Sequence, residues 1–152
     1  FRSNTVIVGI NWRLAPPEVS YILNDSQAKI LFVGEEFFGL VDKILKNVPS
    51  VKKVICMTGS RPDWPEYESW RDFQSADLCQ RQPNLEDVAI QMYTSGTTGH
   101  PKGVVLTQEA FSRMEYNCSF FKSLICKKLL LLIIKSPFLI LIWESPLDLY
   151  TL

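Results

Sequence analysis

Thr94-Ser95-Gly96-Thr97-Thr98-Gly99-His100-Pro101-Lys102-Gly103 stands between two apolar runs, Asp87–Tyr93 and Val104–Leu106. Hydroxyls, glycines and one lysine in that order suit the holding of a phosphate chain. Glycines let backbone N–H groups converge on an anion and permit positive φ. Serine and threonine hydroxyls add short hydrogen bonds to phosphate oxygens, and Lys102 brings a mobile positive charge to terminal phosphates. The run is not a Walker A loop, since GxxxxGK[ST] needs a hydroxyl residue after the lysine and a helix behind it. Here Gly103 follows, and then strand character, so adenylate kinases and GTPases are poor analogies. For Gly96 to Gly99 taken alone, a turn between two strands with no ligand is the alternative.

The elements that must carry this loop alternate along the chain. Thr5-Val6-Ile7-Val8-Gly9-Ile10 is β-branched and apolar, as a buried strand requires. Pro16-Pro17 opens a short helix with Val19, Ile22 and Leu23 on one face, and Asn24-Asp25-Ser26 supplies turn chemistry after it. Lys29 to Val33 reads as a second strand. Phe37, Leu40, Val41, Ile44 and Leu45 then fall at helical spacing, and Val48-Pro49-Ser50 ends that helix. Lys53 to Met57 is a third strand. Residues 59–87 have no sustained period, only prolines and aromatics with a short helix expected near Trp70. Asp87–Tyr93 and Val104–Leu106 are strands, and Thr107 is a candidate N-cap for a helix with Phe111, Met114 and Cys118 on one face. Strand–helix–strand alternation predicts an α/β fold, a mostly parallel sheet with flanking helices.

Composition narrows the function classes. The chain has 152 residues, enough to bury a core, with 47% hydrophobic and 21% charged residues. Sixteen basic residues balance sixteen acidic ones. Without net charge or a basic run, nothing supplies the attraction that nucleic-acid binding needs, and no nucleic-acid partner is expected. Cys56, Cys79, Cys118 and Cys126 form no CxxC pair and His100 is the only histidine, so no metal site is expected. No charged leader with an apolar core and cleavage site opens the sequence. Free thiols and a cytoplasmic location are the expectation.

The last stretch differs in composition. Leucine and isoleucine crowd residues 123–152, glycine is absent after Gly103 and alanine after Ala110. Lys127, Lys128 and Lys135 interrupt the apolar run, and Ser136-Pro137 splits it. A lysine at the centre of a spanning helix costs about 2.5–3.5 kcal/mol. As a helix, Leu129–Trp143 would be about 22 Å long, short of a ~30 Å hydrocarbon core. Membrane association through this tail is therefore conceivable but not favoured. The expected division is residues 1–121 as one partial domain and 122–152 as an atypical apolar tail foreign to it.

The twelve positions Tyr93 to Val104 resemble the phosphate-loop signature of the adenylate-forming (AMP-binding) family, which includes acyl-CoA synthetases, aryl-CoA ligases, luciferases and peptide-synthetase adenylation domains. Asn11 to Glu18, Tyr21 to Ser26 and Ile30 to Val33 are similar to the upstream region of bacterial-type fatty-acid–CoA ligases. The resemblance implies part of the large N-terminal domain of such an enzyme. It implies activation of a carboxylic acid by Mg-ATP to an acyl-adenylate, and transfer of the acyl group to CoA. Carried over, Thr94, Ser95, Gly96, Thr97, Thr98 and Lys102 would hold the β- and γ-phosphates, while Gly99 and Gly103 allow the bend. His100 falls at a variable position, and no residue is assigned a catalytic role. The downstream adenine and magnesium segment and the C-terminal lysine domain are not found, so the Mg2+ ligand is missing and this polypeptide alone is expected to be inactive. A truncated remnant with phosphate or partner binding only, or a small membrane-associated protein, are the alternatives.

Overall fold

The computed structural model describes residues 5–74, 84–94, 100–117 and 138–144. Among these, strands β1 (Thr5–Gly9), β2 (Ile30–Val33), β3 (Lys53–Cys56), β4 (Val88–Thr94), β5 (Lys102–Thr107) and β6 (Phe138–Glu144) form one sheet in the order β3-β2-β6-β1-β4-β5. Helices α1 (Pro16–Asp25), α2 (Phe38–Ile44), α3 (Tyr67–Asp72) and α4 (Gln108–Asn117) connect or follow them.

One of the two strand–helix–strand units pairs directly, as the alternation predicts, and the strands of the other, β1 and β2, are separated by β6. β2 and β3, joined through α2, pair in parallel, with Leu31 opposite Val54 and Val33 opposite Cys56. β1 and β4 are also parallel, with Ile7 opposite Ile90. The sheet as a whole is mixed, because β5 returns antiparallel to β4 and β6 runs antiparallel to both its neighbours. β6 comes from the segment that composition sets apart. It is the strand through which β1 and β2 are joined.

All four residues of β2 are buried, which explains a continuous apolar run in place of alternation. Leu31 and Val33 pack with Val19, Ile22, Leu23, Val41 and Ile44 of α1 and α2. Ile30 and Phe32 point the other way and pack with Ile55 against Tyr67 and Trp70 of α3. The sheet therefore has helices on both faces. The short helix expected near Trp70 is α3, and its aromatics cover this second face.

Local chemistry sets the helix ends. Pro16 and Pro17 occupy the first turn of α1, and the Glu18 carboxylate accepts the Ala15 N–H at 2.8 Å. α1 runs through Asn24 and Asp25, beyond the stop read from those residues, because the Ser26 hydroxyl donates to the Ile22 carbonyl at 2.7 Å and satisfies its last turn. Gln27 then takes φ 54° and turns the chain into β2. The apolar stripe from Phe37 to Leu45 is centred on α2, and its end residues Phe37 and Leu45 fall in the flanking 3-10 turns Glu35–Phe37 and Leu45–Asn47. Thr107 caps α4, its hydroxyl oxygen accepting the Ala110 N–H at 3.2 Å. The side chains of Phe111, Met114 and Cys118, expected on one face, lie outside the described residues.

Candidate functional site

The candidate loop is carried by the β4–β5 hairpin at the edge of the sheet. Its pairing runs from Val88 opposite Thr107, through Tyr93 opposite Gly103, to Thr94 opposite Lys102. Thr94 and Lys102 thus face each other as the last pair before the chain leaves the sheet, and both are exposed. The hairpin mouth opens beside the carboxyl ends of β1, β2, β3 and β4, the edge where open α/β sheets bind ligands. The structure brings Thr94 and Lys102 together; Ser95, Gly96, Thr97, Thr98 and Gly99 lie outside the described residues.

Below the mouth, the hairpin rests on α1. The Tyr93 hydroxyl donates to Asp25 Oδ2 at 2.6 Å and accepts from Gln91 Nε2 at 2.9 Å. Burial raises the phenol pKa far above its usual range, and the hydrogen bond to Asp25 and that residue's charge add to the shift. Tyr93 is therefore a neutral donor, not a base. A Cβ at Gly103 would lie 2.8 Å from Gln91 Nε2, so glycine leaves room for the amide that meets Tyr93. On the other side of the loop, His100 stacks on Tyr21 with centroids 5.2 Å apart and planes at 23°. His100 is exposed, as expected of a loop histidine, and it has this aromatic partner.

No spacing rule announces these partners, since Asp25 and Tyr93 are 68 residues apart. Only the two stretches of resemblance, which contain both residues, hinted that they belong together. The remaining titratable groups do not enlarge the site. Cys56 is a free, buried thiol whose pKa burial pushes up, which disfavours the nucleophilic thiolate. Among the described residues no three His, Cys, Asp or Glu side chains gather as a metal site.

A family profile described as AMP-binding enzyme matches residues 1–133. The chain belongs to that family. A fatty acid–[acyl-carrier-protein] ligase of Streptomyces coeruleorubidus is 39% identical over 110 residues, which are 72% of this chain and 20% of the relative. A long-chain-fatty-acid–CoA ligase of Mycobacterium tuberculosis is 39% identical over 108 residues, 69% of this chain and 20% of the relative. A 3-hydroxybenzoate–CoA/4-hydroxybenzoate–CoA ligase of Thauera aromatica is 35% identical over 107 residues, 68% of this chain and 20% of the relative. The chain thus spans about a fifth of the length of these AMP-binding relatives. Among solved structures, an anthranilate CoA ligase in complex with anthranoyl-AMP superposes with TM-score 0.62 at 36% identity, covering 67% of this chain and 20% of that one. The N-terminal domain of FACL13 from Mycobacterium tuberculosis gives TM-score 0.53 at 38% identity, covering 68% of this chain and 25% of that one. The α/β fold is accordingly part of the N-terminal domain of the AMP-binding family.

Proposed function

We propose that this chain supplies the phosphate-holding segment of an ATP-dependent acid–thiol ligase. That enzyme activates a carboxylic acid as its acyl-adenylate and transfers the acyl group to CoA. The observation that carries the reading is the Thr94–Lys102 pair, which closes the hairpin under a loop of hydroxyls and glycines. Thr94, Ser95, Gly96, Thr97, Thr98 and Lys102 hold the β- and γ-phosphates of ATP, and Gly99 provides the bend. Their contribution is electrostatic. Donors and a cation fixed around the phosphates orient ATP and stabilise the charge that grows on departing pyrophosphate. The acid attacks the α-phosphorus, pyrophosphate leaves, and the CoA thiol then displaces AMP.

A fatty acid is the proposed substrate, supported by two relatives named for fatty acids and by the Asn11-Trp12-Arg13-Leu14 neighbourhood. Aryl acids are the competing class, since the Thauera aromatica relative is named for hydroxybenzoates. Residues 1–121 are proposed as the ligase part and 122–152 as an added tail, with a cytoplasmic location. Among the described residues no helix is long and apolar enough to cross a membrane.

Titration calorimetry of the 152-residue chain with ATP tests the reading. Wild type is expected to bind, and Lys102→Ala to weaken binding roughly tenfold, the value of one charge-assisted contact. A folded wild-type chain that takes up no ATP, or an unchanged affinity in Lys102→Ala, would sink it. The chain alone is expected to form no acyl-adenylate, and release of pyrophosphate with fatty acid present would overturn that part.

A further inference from the structure

We propose that Asp25 and Tyr21 are positioning residues for the phosphate loop, holding Tyr93 and His100 on α1 so that both ends of the loop leave the sheet at fixed places. The proposal rests on reading residues 94–103 as a phosphate loop, and it assigns a role to residues that no motif marks.

Three observations carry it. First, the contacts bracket the loop. Tyr93 directly precedes Thr94, and His100 stands two residues before Lys102. Tyr93 is tied to Asp25 at 2.6 Å, and His100 lies on Tyr21 with ring centroids 5.2 Å apart. Second, Tyr21 and Asp25 are spaced i, i+4, so they form one ridge along α1. That ridge is a firm support. Ile22 and Leu23 beside it are fully buried, the Asn24 amide donates to the Asn47 carbonyl at 2.8 Å, and the Ser50 hydroxyl donates to the Leu23 carbonyl at 3.3 Å. Third, the support extends across the hairpin. Gly103 leaves room for Gln91, whose amide donates to the Tyr93 hydroxyl at 2.9 Å.

The need for such a device follows from the topology. Among the described strands β5 stands at one end of the sheet, with Val104 and Val105 exposed, so these strands brace the hairpin on one side alone. Phosphate donors act by being fixed before the ligand arrives, and small displacements forfeit much of their effect. Two tethers to a helix anchored by its buried face of Val19, Ile22 and Leu23 supply that rigidity.

Hydrogen exchange of the 152-residue chain reads the proposal without any ligand. Tyr93→Phe and Asp25→Ala are expected to speed exchange at residues 92–94 and 100–103 roughly threefold to tenfold, with β2 and β3 unchanged. Asp25→Asn keeps an oxygen for the Tyr93 hydroxyl and is expected to stay within about twofold of wild type. Tyr21→Ala should act mainly at residues 100–103. Unchanged exchange at the hairpin in Tyr93→Phe overturns the proposal, and so does acceleration that spreads evenly through β2 and β3. ATP calorimetry on the same variants separates the two readings. Weaker binding by Tyr93→Phe supports both, and equal binding overturns the positioning role. Absence of ATP binding by wild type overturns the phosphate reading, while the exchange result still decides whether α1 holds the hairpin.

Discussion

The Tyr93 hydroxyl donates to Asp25 Oδ2 at 2.6 Å, joining the loop end of the edge hairpin to the last turn of α1. Burial, that bond and the Asp25 charge raise the phenol pKa from its usual 10.0. The folded protein therefore keeps this proton more tightly than the unfolded chain does. Stability from it is intact below pH 10.0 and is lost progressively as pH rises beyond that value. Between about pH 9 and about pH 11, the urea midpoint of wild type should fall more steeply than that of Tyr93→Phe. Parallel declines in the two proteins would show that Tyr93 titrates alike in both states.

Two glycines should respond in opposite directions to alanine. Gly59 has φ 68°, and an added Cβ would meet the Glu35 Cβ, Cδ and Oε2 at 2.8 Å. Gly59→Ala is expected to cost about 2 kcal/mol, from left-handed backbone strain and from displacement of Glu35. Gly39 lies inside α2, and a Cβ added there would meet nothing within 4 Å. Gly39→Ala is expected to stabilise the fold by about 0.5–1 kcal/mol. Chemical denaturation of both variants decides it, and equal shifts would contradict the account.

Arg61 should resist replacement by lysine. Its guanidinium lies 4.1 Å over the Trp64 ring and 5.6 Å from that of Phe38, while Nη1 reaches both Asp42 oxygens at 2.9 and 3.0 Å. Trp64 and Phe38 meet edge to face at 5.3 Å. The cluster fastens the irregular segment after β3 to α2. Arg61→Lys keeps the charge but loses the flat face, and a loss of about 1 kcal/mol is expected. Part of that loss should persist at high salt, which screens the Asp42 pair more than the ring contact. A lysine variant as stable as wild type at low and high salt would refute the stacking contribution.

β6 gives the apolar tail a checkable role. It pairs with β1 from Thr5 opposite Glu144 to Gly9 opposite Ile140, and with β2 from Ile30 opposite Ile142 to Val33 opposite Phe138. Without it the sheet order separates into β3-β2 and β1-β4-β5. Two-stranded pieces are marginal in water, and the bared strand edges invite association. A chain ending at residue 121 is expected to unfold with a lower midpoint and reduced cooperativity, and Ile142→Pro to act in the same direction. An unaltered transition in both proteins would mean that β6 does not hold the halves together.

The sequence alone determined the features that depend on near neighbours. Helical spacing from Val19 to Leu23 and from Phe37 to Leu45, proline at Pro16 and Pro17, the Thr107 cap and the β-branched run at Val6–Val8 each reflect local backbone preference, and each appears where its residues predict. The two strands that flank the stretch from Thr94 to Gly103 were legible too, because Asp87–Tyr93 and Val104–Leu106 are apolar runs that reappear as β4 and β5. What lay beyond reading were relationships between distant segments. Strand order, the entry of Phe138–Glu144 between β1 and β2, and the seating of Tyr93 and His100 on α1 depend on which faces meet once the core closes. Asp25 looked like turn chemistry until Ser26 satisfied the helix end and left its carboxylate facing Tyr93. Pairing across such distances is set by burial and register in three dimensions, and only the tertiary structure decides it.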